Sequence, residues 1–133
     1  MKAKTAETAQ NTRKLQIGKN VIVKIEVADS DSERELGYSG HAPISFKEGK
    51  LFIFEKSGRY TFWMKDMLFD LDFIYIQDNQ IVGIKEHVPA PRQNKGKVAI
   101  IYPSTPFNKV LEVKSGFVEK FGIQIGDQIQ IKQ

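Results

Sequence analysis

Residues 62–84 read FWMKDMLFDLDFIYIQDNQIVGI. Apolar runs at 71–76 and 81–84 flank Asp78-Asn79, a two-residue hairpin signal, so strands near 71–76 and 80–86 are expected to pair antiparallel. Upstream, strand alternation places Phe62 and Met64 on one face and Trp63 and Lys65 on the other. If the first pair fills the core, the second projects together as an aromatic plate beside a cation. Within the hairpin, Asp72 shares a face with Ile74 and Ile76, while Leu71, Phe73 and Tyr75 take the other. Both faces are apolar, so an acid there is either at an edge or buried for a purpose.

The pattern continues as strand on either side. Val21, Val23, Ile25 and Val27 alternate with Ile22, Lys24 and Glu26, and short apolar runs recur at 51–54, 60–64, 98–102, 109–113 and 128–132. Two helices interrupt them. Ser30 with Glu33 three residues later is a capping box, closed by Gly37 after about two turns. Ser115 is expected to cap a second helix over 116–121, ended by Gly122. Residues 39–50 and 87–97, with Pro43, Pro89 and Pro91, are expected to be loops. The expected fold class is α+β, predominantly β: a small curled sheet or barrel-like antiparallel domain with two short helices.

Composition agrees with one domain. The 133 residues include 41% hydrophobic and 27% charged side chains and no cysteine, which excludes disulfides, thiol catalysis and cysteine-zinc sites. Two histidines, His41 and His87, give little material for a metal site, and no cofactor is implied. The net charge of +4 is that of residues 1–20, where five cations face Glu7 alone, and the remainder is balanced. A folded nucleic-acid face would carry the excess itself, so nucleic acid is not the expected partner. Residues 1–19 are expected to form a disordered leader or linker before a single domain at 20–133. No stretch approaches the ~20 apolar residues of a membrane span, and the leader lacks the apolar core of a signal peptide. A Lys/Thr/Gln-rich leader suits a linker from an anchor lying upstream, which would place the domain outside the cytoplasm; otherwise it is cytoplasmic.

VADSDSERELGYSG at 27–40, GKLFIF at 49–54, FWMKDMLFDLDFIYI at 62–76, VLEVKSG at 110–116 and GIQIGDQI at 122–129 occur in the order and spacing of one family. On these stretches the chain, from about residue 20 to its end, resembles the domain of unknown function family 192. The resemblance implies a compact β-rich domain, often behind a signal peptide or lipid anchor, and brings no established activity. The chain departs from the family in four places. Tyr38-Ser39 stands where many members have Leu-Met, Lys50 where Met is frequent, Asp70 where proline is frequent, and the loop cysteines of some members are absent.

Candidate ligand-binding residues are Trp63, Lys65, Asp66, Asp72, Arg34 and Glu112. Trp63 with Lys65 suits a small molecule or glycan with an apolar face and a hydroxyl-rich or acidic edge; the plain alternative is that Trp63 closes a barrel end and Lys65 snorkels beside it. Asp72 either joins a site or ties down a loop by accepting backbone N–H bonds. Arg34 can pair with Asp72 or Glu112. The expected function is a non-enzymatic extracytoplasmic binding or accessory domain of the cell envelope. Two alternatives stand beside it: a glycan or envelope-polymer hydrolase with Asp72 and Glu112 as paired carboxylates, and a protein-interaction module offering a sheet edge or the 87–106 region.

Overall fold

The hairpin signal at Asp78-Asn79 is realised: β5 (Leu71–Gln77) and β6 (Gln80–Val88) pair antiparallel about it, with Asp78 at φ 58°. The computed structural model describes residues 12–132. Around this hairpin lie β1 (Thr12–Ile17), β2 (Val21–Ala28), α1 (Asp31–Leu36), β3 (Glu48–Gly58), β4 (Phe62–Trp63), β7 (Ile100–Ile101), β8 (Phe107–Lys114), α2 (Phe117–Phe121) and β9 (Ile129–Lys132). A 3₁₀ turn, Pro91–Asn94, sits in the second loop.

Seven strands form one sheet in the order β6-β5-β8-β3-β2-β1-β9, and β4 with β7 form a separate ribbon. The sheet curls until its edges meet at one end. Gln80 at the start of β6 bridges Gln128, and the Ile81 amide donates to the Asp127 carbonyl at 2.9 Å. The expected antiparallel pairing holds except between β2 and β3, which run parallel. That pair needs a crossover rather than a hairpin, and α1 with the loop after it supplies one. The helix begins as its sequence dictates: Ser30 accepts from the Glu33 amide, and the Glu33 carboxylate accepts from the Ser30 amide.

Two expectations need correcting. The leader boundary lies too late, because residues 12–17 are strand β1, paired with both β2 and β9; residues 1–11 lie outside the described residues. Ser115 does not cap α2. Gly116 occupies the N-cap without a side-chain bond, and the N-terminal amides of this turn are instead met by Asp72.

The sheet is apolar on both faces. One face packs Leu15, Ile25, Leu51, Ile74, Leu111 and Val113 beneath α2. The other packs Phe52, Phe73, Tyr75, Phe107 and Val110 beneath the β4–β7 ribbon. Each fully buried phenylalanine or leucine is worth ~1.5–3 kcal/mol, so both layers anchor the sheet. The second layer carries the candidate site.

Candidate functional site

β4 divides its side chains as alternation requires. Phe62 packs within 5.7 Å, ring to ring, of Phe73 and 6.2 Å of Phe107, and Met64 is fully buried. Trp63 is turned outward with 54% of its surface exposed, and the Lys65 ammonium lies 5.2 Å from its ring centroid. The chain then turns sharply at Asp66, φ 60°. This turn is tied to the segment after α1: the Gly40 amide donates to the Asp66 carbonyl at 2.8 Å and the Ser39 hydroxyl to the Lys65 carbonyl at 3.0 Å.

Between α1 and this turn opens a cleft of about 320 Å³, walled by Glu35, Leu36 and Ser39 against Trp63, Lys65 and Asp66. A separate inner cavity of about 90 Å³ shares Glu35, Leu36, Ser39 and Trp63 with the cleft and reaches Arg34, Gly37, Tyr38, Met67 and Glu112. Five of the six candidate residues therefore line this adjoining pair of pockets.

Glu112 is the unusual member. It is 6% exposed and accepts no hydrogen bond from the described residues. Its directly opposite neighbour in register is Lys50, but that ammonium donates to the Gly37 carbonyl at 2.8 Å and lies 3.9 Å from Glu26. Burial pushes the Glu112 carboxyl up to about 8, with Lys50 opposing the shift. At neutral pH the group is held as the neutral acid, able to donate as well as accept. Burial, with the Glu112 charge adding, also pushes the nearby Tyr38 and Tyr75 hydroxyls above their ordinary range. The Tyr75 hydroxyl is buried without a partner among the described residues.

Gly37 shapes the inner cavity. Its φ is 50°, and a Cβ there would lie 3.3 Å from the Phe52 ring and 3.8 Å from Glu112 Oε1. A side chain would thus strain the backbone and enter the cavity together.

Arg34 reaches the lining but is already engaged. Its Nη1 donates to the Ile53 carbonyl at 2.7 Å, its Nη2 to Asp31 at 2.8 Å, and the guanidinium stacks 5.3 Å over Phe54. It pairs with neither Asp72 nor Glu112, contrary to expectation, and serves to hold α1 on the sheet.

Asp72 is not part of the cleft. It is fully buried; Oδ1 accepts from the His87 amide at 2.8 Å, and Oδ2 from the Gly116 and Val118 amides at 3.2 and 3.0 Å. It does the loop-tying work that was the plainer alternative. Register also separates it from Glu112: Phe73 stands opposite Glu112 and Asp72 opposite Val113. Adjacent positions face opposite sides of a sheet, so the two carboxylates are not a hydrolytic pair, and that arrangement is withdrawn.

Sequence reasoning missed the wall opposite Trp63. Glu35, Leu36 and Ser39 follow a recognisable helix, but their convergence on Trp63 depends on the bonds to Lys65 and Asp66, which have no local signature. Also unforeseen is the contact of His87 Nδ1 with Ser115 Oγ at 2.7 Å. His41 contacts the carbonyl of its neighbour Ala42 and the edge of Tyr38. Among the described residues no group of three or more histidine and acidic side chains is arranged to hold a metal ion, and no helix is long and apolar enough to cross a membrane.

Comparison with known proteins places this geometry in context. The family model DUF192, described as uncharacterized ACR, matches residues 12–131. A crystal structure from Sinorhizobium meliloti 1021, described as that of a candidate transcription regulator, is 26% identical with a TM-score of 0.82, over 90% of this chain and 93% of that one. A protein of unknown function from Novosphingobium aromaticivorans DSM 12444 is 20% identical with a TM-score of 0.80, over 90% and 84% of the two chains, and shares the fold. A search of curated proteins returns no match.

Proposed function

The chain belongs to the DUF192 family, and we propose that it is an extracytoplasmic binding domain of the cell envelope whose ligand, a sugar or similar polyol, enters the cleft under Trp63. The observation that carries this reading is the half-exposed Trp63 on the wall shared by the cleft and an inner cavity lined by Glu112, a largely buried carboxyl that hydrogen-bonds to none of the described residues. An aromatic plate receives the apolar face of a pyranose ring. Lys65, Asp66 and Ser39 meet its hydroxyls at the rim. The Glu112 carboxyl makes no hydrogen bond to the described residues, so a ligand hydroxyl reaching the inner cavity would find an open partner there. The cavity holds about 90 Å³, room for a hydroxymethyl-sized group rather than a whole ring. No histidine lines the cleft or the inner cavity to serve as a base for their serines, and Glu26, the next carboxylate on the Glu112 face, lies beyond Lys50 and is 3.9 Å from its ammonium. It is suited to binding.

The charge excess of this chain lies in residues 1–20 and the remainder is balanced, which does not favour a nucleic-acid face. A second reading is favoured by one specific observation. Trp63 stands opposite Ile100 in the β4–β7 ribbon, and Ile100 and Tyr102 are 50% and 73% exposed. This apolar stripe suits a protein-interaction module.

Trp63 is the sole tryptophan of the chain, so its emission reports directly on the cleft. Titration with glucose, N-acetylglucosamine and their short oligomers should give a saturable change for at least one compound. A ligand at 100 times its dissociation constant should also raise stability by about 2.7 kcal/mol. Absence of both responses across the series overturns the sugar-binding reading.

A further inference from the structure

We propose that Ser115, His87 and Glu119 form a second, chemically active site that hydrolyses small esters carrying a negative charge, independently of the Trp63 cleft. His87 Nδ1 lies 2.7 Å from Ser115 Oγ, and His87 Nε2 lies 3.8 Å from Glu119 Oε1. With the ring proton on Nε2 facing Glu119, Nδ1 is free to accept the serine proton. A nucleophile with a base within hydrogen-bond reach is the core of an activated serine, and the Glu119 carboxylate, beyond hydrogen-bond distance, supports the imidazolium by charge alone.

The rest of the fold holds these parts together. His87 has φ 54°, a costly conformation for a non-glycine residue. It is held there by its backbone N–H, which donates to Asp72 Oδ1, while Asp72 Oδ2 accepts from the Gly116 and Val118 amides just after Ser115. Asp70 repeats the arrangement: its carboxylate accepts from the Ala90 amide at 2.8 Å and its carbonyl from the Ser115 amide at 3.2 Å. Two buried-side tethers thus fix the loop carrying the base against the turn carrying the nucleophile. Asp70 and Asp72 are positioning residues. They explain why an acid stands in the middle of an apolar strand.

Ser115 also lines a cleft of about 350 Å³. Its apolar wall includes Leu68, which is 59% exposed, and Phe69; its polar side carries Arg92, Gln93, Lys114 and Asp70, whose carboxylate already accepts from the Ala90 amide. Neither cation forms an ion pair among the described residues, and the Lys114 ammonium lies 4.8 Å from the Phe46 ring centroid. The two cations favour an acyl group that bears a carboxylate or phosphate. In the reaction, Ser115 Oγ attacks the ester carbonyl as its proton passes to His87 Nδ1. The tetrahedral species collapses, and the leaving alkoxide takes that proton and departs as the alcohol. Water then gives a proton to Nδ1 and attacks the acyl-serine. Collapse returns the proton to Ser115 Oγ and releases the acid.

The test uses the full chain and a fluorophosphonate probe, from which an activated serine displaces fluoride. Tryptic cleavage after Lys114 and Lys120 isolates residues 115–120, SGFVEK, in which Ser115 is the single serine, so the wild-type protein reports the labelled position without any variant. We expect the adduct on this peptide. His87→Ala should slow labelling by about 100-fold, with added imidazole restoring part of the rate. Glu119→Ala should lower kcat for an activated ester without changing KM. The nitrophenyl ester of succinate should be turned over at least about five-fold faster than that of acetate, a preference removed in Arg92→Ala. No adduct on the 115–120 peptide, or labelling equally fast in His87→Ala, overturns the site. Equal rates for charged and neutral esters overturn the proposed substrate class.

Discussion

Replacing Glu112 by glutamine isolates the least ordinary group in the molecule. Glutamine has nearly the same shape as the neutral acid and cannot ionise. In the folded chain burial holds the Glu112 carboxyl at about 8, against an ordinary value of 4.5. A carboxyl raised in this way supports folding fully below its unfolded value, and that support is lost as pH rises toward the folded value. Between these limits the unfolded chain releases a proton that the folded chain retains. The wild type should therefore lose about 1.4 kcal/mol per pH unit from this group alone, or about 5 kcal/mol over the whole window. Urea unfolding of both proteins between about pH 5.5 and 7.5 reads the difference. The stability of Glu112→Gln relative to the wild type should grow by about 3 kcal/mol from the acid end to the other, roughly 10 °C or more in Tm. A difference that stays constant with pH would show that Glu112 is ionised, or hydrogen-bonded, in the folded chain and would refute the reasoning.

Other substitutions separate structural from binding roles. Asp72→Ala strands three buried-side amides, those of His87, Gly116 and Val118; at ~1–3 kcal/mol for each unsatisfied donor, thermal unfolding should move down by ten degrees or more, if the variant folds at all. Gly37→Ala combines a positive φ with a 3.3 Å approach to Phe52 and should cost about 1–2 kcal/mol in urea unfolding. Ser30→Ala removes the capping box of α1 and should cost about 1 kcal/mol, again by urea unfolding. Trp63→Ala removes a side chain that is half exposed, so circular dichroism should show a folded protein, while the thermal shift given by a bound sugar disappears.

Much of the fold is legible because local signals and tertiary demands agree. The Asp78-Asn79 turn, the Ser30/Glu33 box and the alternation about Trp63 each rest on contacts between residues close in sequence, and each appears in the structure where the pattern places it. The start of β1 was not legible: Thr12, Arg13 and Lys14 are polar, and they are strand because β2 pairs with all three and β9 with Lys14. The parallel β2–β3 pairing is equally a matter of where the crossover lands. The second helix shows the same limit, since Ser115 has the composition of a cap, yet the cap is provided by Asp72 from more than forty residues away. The candidate site divides along this line. Trp63 and Lys65 project together for a local reason. Glu112 joins them because β8 lies between β3 and β5, and Asp72 is excluded because it faces the other side of the same sheet.

The central claim is that the cleft under Trp63 is where this domain meets its ligand. The most direct measurement is a ¹H–¹⁵N correlation spectrum with and without the sugars that quench Trp63 emission, since one indole N–H resonance belongs to one tryptophan. The account predicts saturable shifts confined to that indole and to the amides of residues 34–40, 63–67 and 112. Unchanged indole and cleft amides, or shifts that map instead to the Ile100–Tyr102 stripe alone, would contradict it.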